Sequence, residues 1–389
     1  MAANKGRCED SRVVGNDLIR VACAEDQAFV YVPPRLDRPY LEDVLSAWLG
    51  RRVGIRRCRT TNLCALVWGG VSHSGATVLR LAVEFEDGDS LDVAAKILCP
   101  DSVNLFKLDR RFSGRLAEVA WAEWWGRQEV RWAPKVYATR ADVAAREFWI
   151  LQEYFPQVGW PETVSADSKC FTRDRGLSLM SHAADVHAHS RARIGELAAL
   201  FPDDWPGLTF LAADVAEAMA DASFLAGLGV SDHERAVIDR CLQAVERRPG
   251  WVDEWELVCV TADIAPDNVG VRRVGTVEEV VTFDWGTASL APMEAEIYVL
   301  LWRLKDGAEA EKADLVRFYL DEYAARTGRT IAHDRFMARV VWAQFIQHLG
   351  RIAGCVKGLR WVPGVTGPRD YIHVCVELCE RLLPQLPGD

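Results

Sequence analysis

Apolar residues recur along the chain with two different periods, and the change of period marks its organisation. Over Arg38–Leu49 (RPYLEDVLSAWL) they fall at helical spacing and stop at Gly50, which predicts a helix. From residue 57 to 98 the pattern turns to short apolar runs broken by glycine and aspartate. Residues 64–68, 77–85 and 91–98 read as three consecutive strands, with residues 69–75 joining the first two and Glu86-Asp87-Gly88-Asp89 forming a hairpin between the others. A helix is predicted over Gly114–Gln128, then two strands over 135–139 and 148–152. Beyond Pro156 the pattern is mainly helical, over 177–200, 210–228, 233–247, 293–305, 313–327, 334–349 and 371–383, with short strands at 255–260 and 277–283. The break near residues 152–156 divides a smaller N-terminal part, 1–152, from a larger C-terminal part, 153–389.

Composition narrows the class. The 389 residues are 50% hydrophobic, enough for a sizeable core, and 46 Lys and Arg against 56 Asp and Glu leave a net charge of −10. That balance argues against a nucleic-acid partner, which needs a surplus of cations. No run reaches the roughly 18 to 20 apolar residues of a membrane span, and the N-terminus lacks the apolar stretch of a secretory signal. The expectation is a soluble, cytoplasmic protein with no membrane partner. Its 11 cysteines are scattered without a CxxC pair and read as reduced thiols packed as small hydrophobes. Cys375 and Cys379 fall on one helix face without a partner pair, and the cluster His182, His187 and His189 lacks the carboxylate or thiolate spacing of a metal site.

Residues 259–288 carry the most chemical information. Asp263 is followed five positions later by Asn268, Pro266 forces a turn between them, and a hairpin then delivers Asp284-Trp285-Gly286. Phosphoryl transfer needs one carboxylate to accept the proton of an attacking hydroxyl and two further oxygen ligands for Mg²⁺. A loop and an adjacent hairpin supply those three groups. Upstream, the turn WGGVSHSGAT, with Gly69, Gly70, Ser72 and Gly75, lets backbone N–H groups approach phosphates. Lys96 lies on the third strand in Val93-Ala94-Ala95-Lys96, as in the V-A-I-K strand whose lysine contacts nucleotide phosphates. Glu118 and Glu123 on the following helix both stand as partners for it. They are five apart and point to different sides, so one at most pairs with Lys96, and Glu118 is preferred.

In that order, these features resemble the aminoglycoside phosphotransferase and choline kinase family, from about Leu63 to Leu301. The resemblance implies an α+β, bilobal protein-kinase-like fold, with a small antiparallel-sheet N-lobe bearing one helix and a larger, mainly helical C-lobe. It implies Asp263 as catalytic base, Asn268 and Asp284 as Mg²⁺ ligands, and Lys96, positioned by Glu118, on the phosphates of ATP or GTP. The turn with Gly69, Gly70, Ser72 and Gly75 would cover those phosphates. The segment Trp149 to Phe155, with Glu153 and Phe155, is similar to the family's connector, whose backbone receives the adenine. His187 falls in a helix similar to the family's first large C-lobe helix, in a structural role. Where the family has His-Gly-Asp this chain has Thr261-Ala262-Asp263, and where it has an Asp before an apolar helix this chain offers Glu294 and Glu296.

The acceptor implied is a small-molecule hydroxyl, on an amino sugar, antibiotic, choline-like alcohol or similar metabolite. The acids and aromatics after Asp306 would suit an amine. A Ser/Thr peptide acceptor on the same fold, and a nucleotide-binding pseudokinase, stand as alternatives.

Overall fold

The computed structural model describes residues 13–15, 20–22, 32–63, 76–98, 114–128, 130–142, 144–145, 147–155, 171–201, 208–261, 264, 268–304, 309–361 and 367–387. Two compact units divide the chain, Met1–Asn104 with Arg115–Pro156, and Leu105–Gly114 with Gln157–Asp389. The architecture is α+β, a five-stranded antiparallel sheet in the N-terminal part and helices in the C-terminal part.

In the first unit, β1 (Val13–Gly15) pairs with β2 (Arg20–Ala22). Helix α1 (Arg38–Leu49) starts where the Asp37 carboxylate accepts the Tyr40 N–H at 3.0 Å and stops at Gly50, whose φ of 66° suits glycine. The five-stranded sheet contains β3 (Ile55–Asn62), β4 (Ala76–Phe85), β5 (Ser90–Leu98), β6 (Val136–Asp142) and β7 (Glu147–Glu153), ordered β3-β4-β5-β7-β6. Side chains alternate across it. Leu79, Leu81 and Val83 of β4, Val93, Ala95 and Ile97 of β5, and Trp149 and Leu151 of β7 form one core with Leu41 and Leu45 of α1. The intervening Lys96 therefore faces the other way.

Strand β3 falls outside the sequence reading, which put the first of three consecutive strands at 64–68; those residues lie outside the described set. In the sheet, the partner of β4 is Ile55–Asn62 instead. Its sequence, IRRCRTTN, has no apolar run because it is an outer strand, and Arg56 and Arg59 pair with Glu84 across it at 3.0 and 3.4 Å. The four-residue hairpin between β4 and β5 turns at Gly88, as expected.

The second unit opens with α3 (Arg173–Arg191), α4 (Ile194–Leu200), α5 (Leu208–Met219), α6 (Ala222–Gly227) and α7 (Asp232–Glu246). Strands β8 (Leu257–Val260) and β11 (Ser289–Pro292) form one antiparallel pair, β9 (Val269–Val274) and β10 (Val277–Thr282) another. Helices α8 (Met293–Trp302), α9 (Glu309–Thr327), α10 (His333–Trp361) and α11 (Gly367–Leu382) complete it. One core gathers α3, the strands, α8 and α9; a second gathers α5, α6, α7 and α11. Helix α10 serves both, with Phe336 and Val340 in the first and Trp342 to Leu359 in the second. No helix among the described residues is long and apolar enough to cross a membrane.

Three helical expectations change. Residues 177–200 are two helices, parted at Ala192 and Arg193, the latter with φ −122° and ψ 21° outside the helical range. Residues 210–228 are also two, because Asp221 accepts the Phe224 N–H at 3.0 Å and starts a new helix. Helix α10 runs through Gly350, Gly354 and Gly358 to Trp361. Burial of Ile352, Ala353, Val356 and Leu359 outweighs the roughly 1 kcal/mol cost of each glycine.

Candidate active site

The central strand β5 places Lys96 between Val78 of β4 and Ile150 of β7. On the face opposite α1 it meets α2 (Gly114–Gln128), where Lys96 Nζ lies 2.6 Å from Glu118 Oε1. The two side chains are only 8% and 5% exposed, so the Glu118 carboxylate depends on Lys96 for its charge to be offset. Glu123 points elsewhere and accepts the Thr139 hydroxyl at 2.9 Å. At the end of β7 the Glu153 N–H donates to the Lys135 carbonyl at 2.8 Å, and Phe155 follows two residues later. Gly69, Gly70, Ser72 and Gly75 lie outside the described residues.

In the second unit, the β9–β10 hairpin turns at Gly275, whose φ of 63° is open to glycine, and aligns Val269 with Thr282. One further rung, Phe283 N–H to Asn268 O at 3.0 Å, brings Asn268 and the start of the Asp284 turn to the same end of the ladder. Asp284 itself has φ 62° and ψ 59°, the one left-handed non-glycine backbone among the described residues. Such a conformation costs an L-residue about 1 kcal/mol and is kept where its surroundings impose it. Here the buried Trp285 indole donates to the Thr282 carbonyl at 2.8 Å, and the Thr282 hydroxyl is 3.1 Å from His182 Nε2. Burial pushes the His182 imidazole down to about 4, so it is neutral at pH 7 and serves as a hydrogen-bonding strut. Asp263 lies outside the described residues, but the strand leading to it is defined.

That lead-in is clamped from two sides. The Ser190 hydroxyl accepts the Cys259 N–H at 3.0 Å. At the end of β8 the buried Glu296 carboxylate accepts both the Thr261 N–H, at 2.5 Å, and the Thr261 hydroxyl. Of the two glutamates opening α8, Glu296 thus holds the loop, and Glu294 faces Arg339 at 3.8 Å. His187 is fully buried; its Nδ1 is 2.8 Å from the Tyr319 hydroxyl and its Nε2 4.0 Å from Glu296. Ser190 was not singled out by sequence reasoning, and Tyr319 only among the aromatics after Asp306, since nothing local marks a partner more than 60 residues away.

Glu294 has a distinct consequence. Burial raises its carboxyl to about 7, with Arg339 only partly offsetting this. Because the folded value lies above the ordinary 4.5, the native state holds a proton that the unfolded chain has released between pH 4.5 and 7. Stability should therefore fall as pH rises through that window, by an amount on the order of 3 kcal/mol from this group. Glu294→Gln should flatten the fall; urea melts of both proteins at pH 5 and pH 8 measure it, and equal slopes would remove Glu294 as the source.

The acids and aromatics after Asp306 divide between ion pairs and the core. Tyr319, Tyr323, Trp342 and Phe345 are core residues, while Asp314 and Glu322 pair with Arg317 and Arg326, both at 2.9 Å. Asp306 lies outside the described residues.

Solved structures share this architecture. A Ralstonia eutropha protein classed as an aminoglycoside phosphotransferase superposes with a TM-score of 0.54 at 14% identity, over 89% of this chain and 99% of its own. The ethanolamine kinase of Plasmodium vivax gives 0.55 at 10% identity, over 85% and 83%. The chain has the protein-kinase-like fold. A choline kinase of Streptococcus pneumoniae shares that kinase-like fold too, with a TM-score of 0.51 at 11% identity over 89% and 99%. No protein-family model matches the sequence, and no curated protein matches it.

Proposed function

We propose that the protein is a phosphotransferase that moves the γ-phosphate of ATP or GTP onto a hydroxyl of a small molecule. The observation that carries this reading is the buried Lys96–Glu118 pair on the central strand of a kinase-like fold. A lysine buried against a carboxylate is costly to build and is retained where a fixed cation has work to do. Lys96 would hold the nucleotide phosphates, and Glu118 would fix its position. The turn bearing Gly69, Gly70, Ser72 and Gly75 would bring backbone N–H groups to those phosphates, and the segment with Glu153 and Phe155 would receive the base.

Asp263 would accept the proton of the acceptor hydroxyl as its oxygen bonds to the γ-phosphorus and the bond to the β-phosphate oxygen breaks. Asn268 and Asp284 offer only oxygen donors, from the same end of one hairpin, a set that suits Mg²⁺. That ion would neutralise charge on the transferred phosphate. The Glu296 carboxylate holds Thr261, and this clamp would take the place of the histidine and aspartate that the resemblance puts at these positions. The superposed kinases are named for amino alcohols and amino sugars, which favours a hydroxylated amine as acceptor.

The test is ADP or GDP release with Mg²⁺ against a panel of amino sugars, ethanolamine and choline analogues, nucleoside antibiotics and Ser/Thr peptides. Acceptor-dependent release on a small molecule is the expected result. Nucleotide binding without release on any acceptor would overturn the transferase reading, and release on peptides alone would overturn the small-molecule one.

A further inference from the structure

Helix α10 carries a polar stripe inside the second unit that none of the roles above uses. Gln344, His348, Arg351 and Cys355 are spaced four, three and four apart, which puts them on one face. That face meets Tyr298 of α8 and Tyr371 and Cys375 of α11. The Tyr298 hydroxyl lies 2.9 Å from His348 Nε2, with the Gln344 carboxamide beside it. Arg351 Nη1 donates to the Tyr371 hydroxyl at 2.8 Å, with the guanidinium carbon 5.9 Å from the Tyr371 ring centre.

Two features of this stripe bear on what it could bind. Arg351 is half-buried, yet no carboxylate among the described residues pairs with it, whereas Arg326 holds Glu322 at 2.9 Å and Arg339 faces Glu294. His348 is 3% exposed, and its Nδ1 has no hydrogen-bond partner. Burial, with Arg351 and Arg381 beside it, pushes the imidazole down to about 4, so at neutral pH it adds no charge of its own. A guanidinium donating one of its five N–H groups to Tyr371, flanked by two phenols and a carboxamide and with no counter-ion among the described residues, is complementary to an oxyanion.

We propose that the stripe of Tyr298, Gln344, His348, Arg351 and Tyr371 binds the oxyanion of a small molecule, a carboxylate or a phosphate. The site is separate from the transfer residues. Glu296, which holds Thr261, and Tyr298 are two positions apart on α8 and so about 200° apart around it, on opposite sides of the helix. The site does not depend on the phosphotransferase reading.

The guanidinium supplies its own assay. The full chain, in a buffer free of oxyanions, is treated with phenylglyoxal, and the rate of modification of Arg351 is read by peptide mass spectrometry with added inorganic phosphate or succinate. Saturable protection by one of them is expected, about tenfold at a ligand concentration some ten times its Kd. Protection by phosphate assigns a phosphate-bearing ligand, and protection by succinate a carboxylate-bearing one. Tyr371→Phe should weaken the protection, and Asp284→Ala should leave it intact. The proposal is overturned if neither anion slows the reaction, if Arg351 does not react at all without ligand, or if protection disappears in Asp284→Ala.

Discussion

Asp284→Gly is expected to be more stable than Asp284→Ala by about 1 kcal/mol, while both variants lose phosphoryl transfer by about 10³-fold or more. The stability order inverts the usual one, in which glycine is the costlier residue for the entropy it loses on folding. The inversion follows from the backbone at Asp284, whose φ of 62° suits glycine and strains alanine. The activity loss follows from the carboxylate, which neither replacement supplies. Denaturant melts compare the two variants, and ADP release with titrated Mg²⁺ reads function. Equal stabilities would show that the turn relaxes once the side chain is gone. An alanine variant with native turnover would remove Asp284 from the metal-binding set.

Lys96→Met is expected to lower turnover by about three orders of magnitude and, in addition, to destabilise the first unit by about 3 to 5 kcal/mol. The second effect belongs to Glu118, left 4% exposed with its partner removed. The double variant Lys96→Met, Glu118→Leu should regain most of that stability, because two apolar side chains of similar volume replace the pair without a stranded charge. It should regain none of the activity. Melting curves and kcat measured on both proteins separate the two roles. A double variant no more stable than the single one would show that the stranded carboxylate is not the cause. Native turnover in either would dissociate Lys96 from the phosphates.

Local pattern carried the fold where one face of an element meets one core. Helices Arg38–Leu49 and Gly114–Gln128 match their periodicity residue for residue, and β4 and β5 differ from the sequence reading by one residue at the start. It failed where solvent or distant chain decides. The outer strand Ile55–Asn62 is held by ladder bonds and arginine–glutamate pairs, which leave no apolar signature. The extension of α10 past Gly350 comes from burial against other helices, which local propensity does not contain.

The same division runs through the candidate site. Spacing narrows the partner of Lys96 to Glu118 or Glu123 with Glu118 preferred, and the sheet-to-helix packing pairs Lys96 with Glu118 while Glu123 meets Thr139. Glu294 and Glu296 are likewise on opposite sides of α8, and the end of β8 selects Glu296. The stripe around Arg351 draws on three helices spread over 70 residues, so its members look like unremarkable helical positions until the helices pack.

The 29-residue helix α10, about 43 Å long, contributes side chains to both cores of the second unit. Such a shared girder couples the two halves mechanically. Loosening the C-terminal bundle near Ile352 would also free the rod that holds Phe336 against Tyr319, and through it His187 behind Glu296. The two cores are therefore expected to melt as one cooperative body in denaturant.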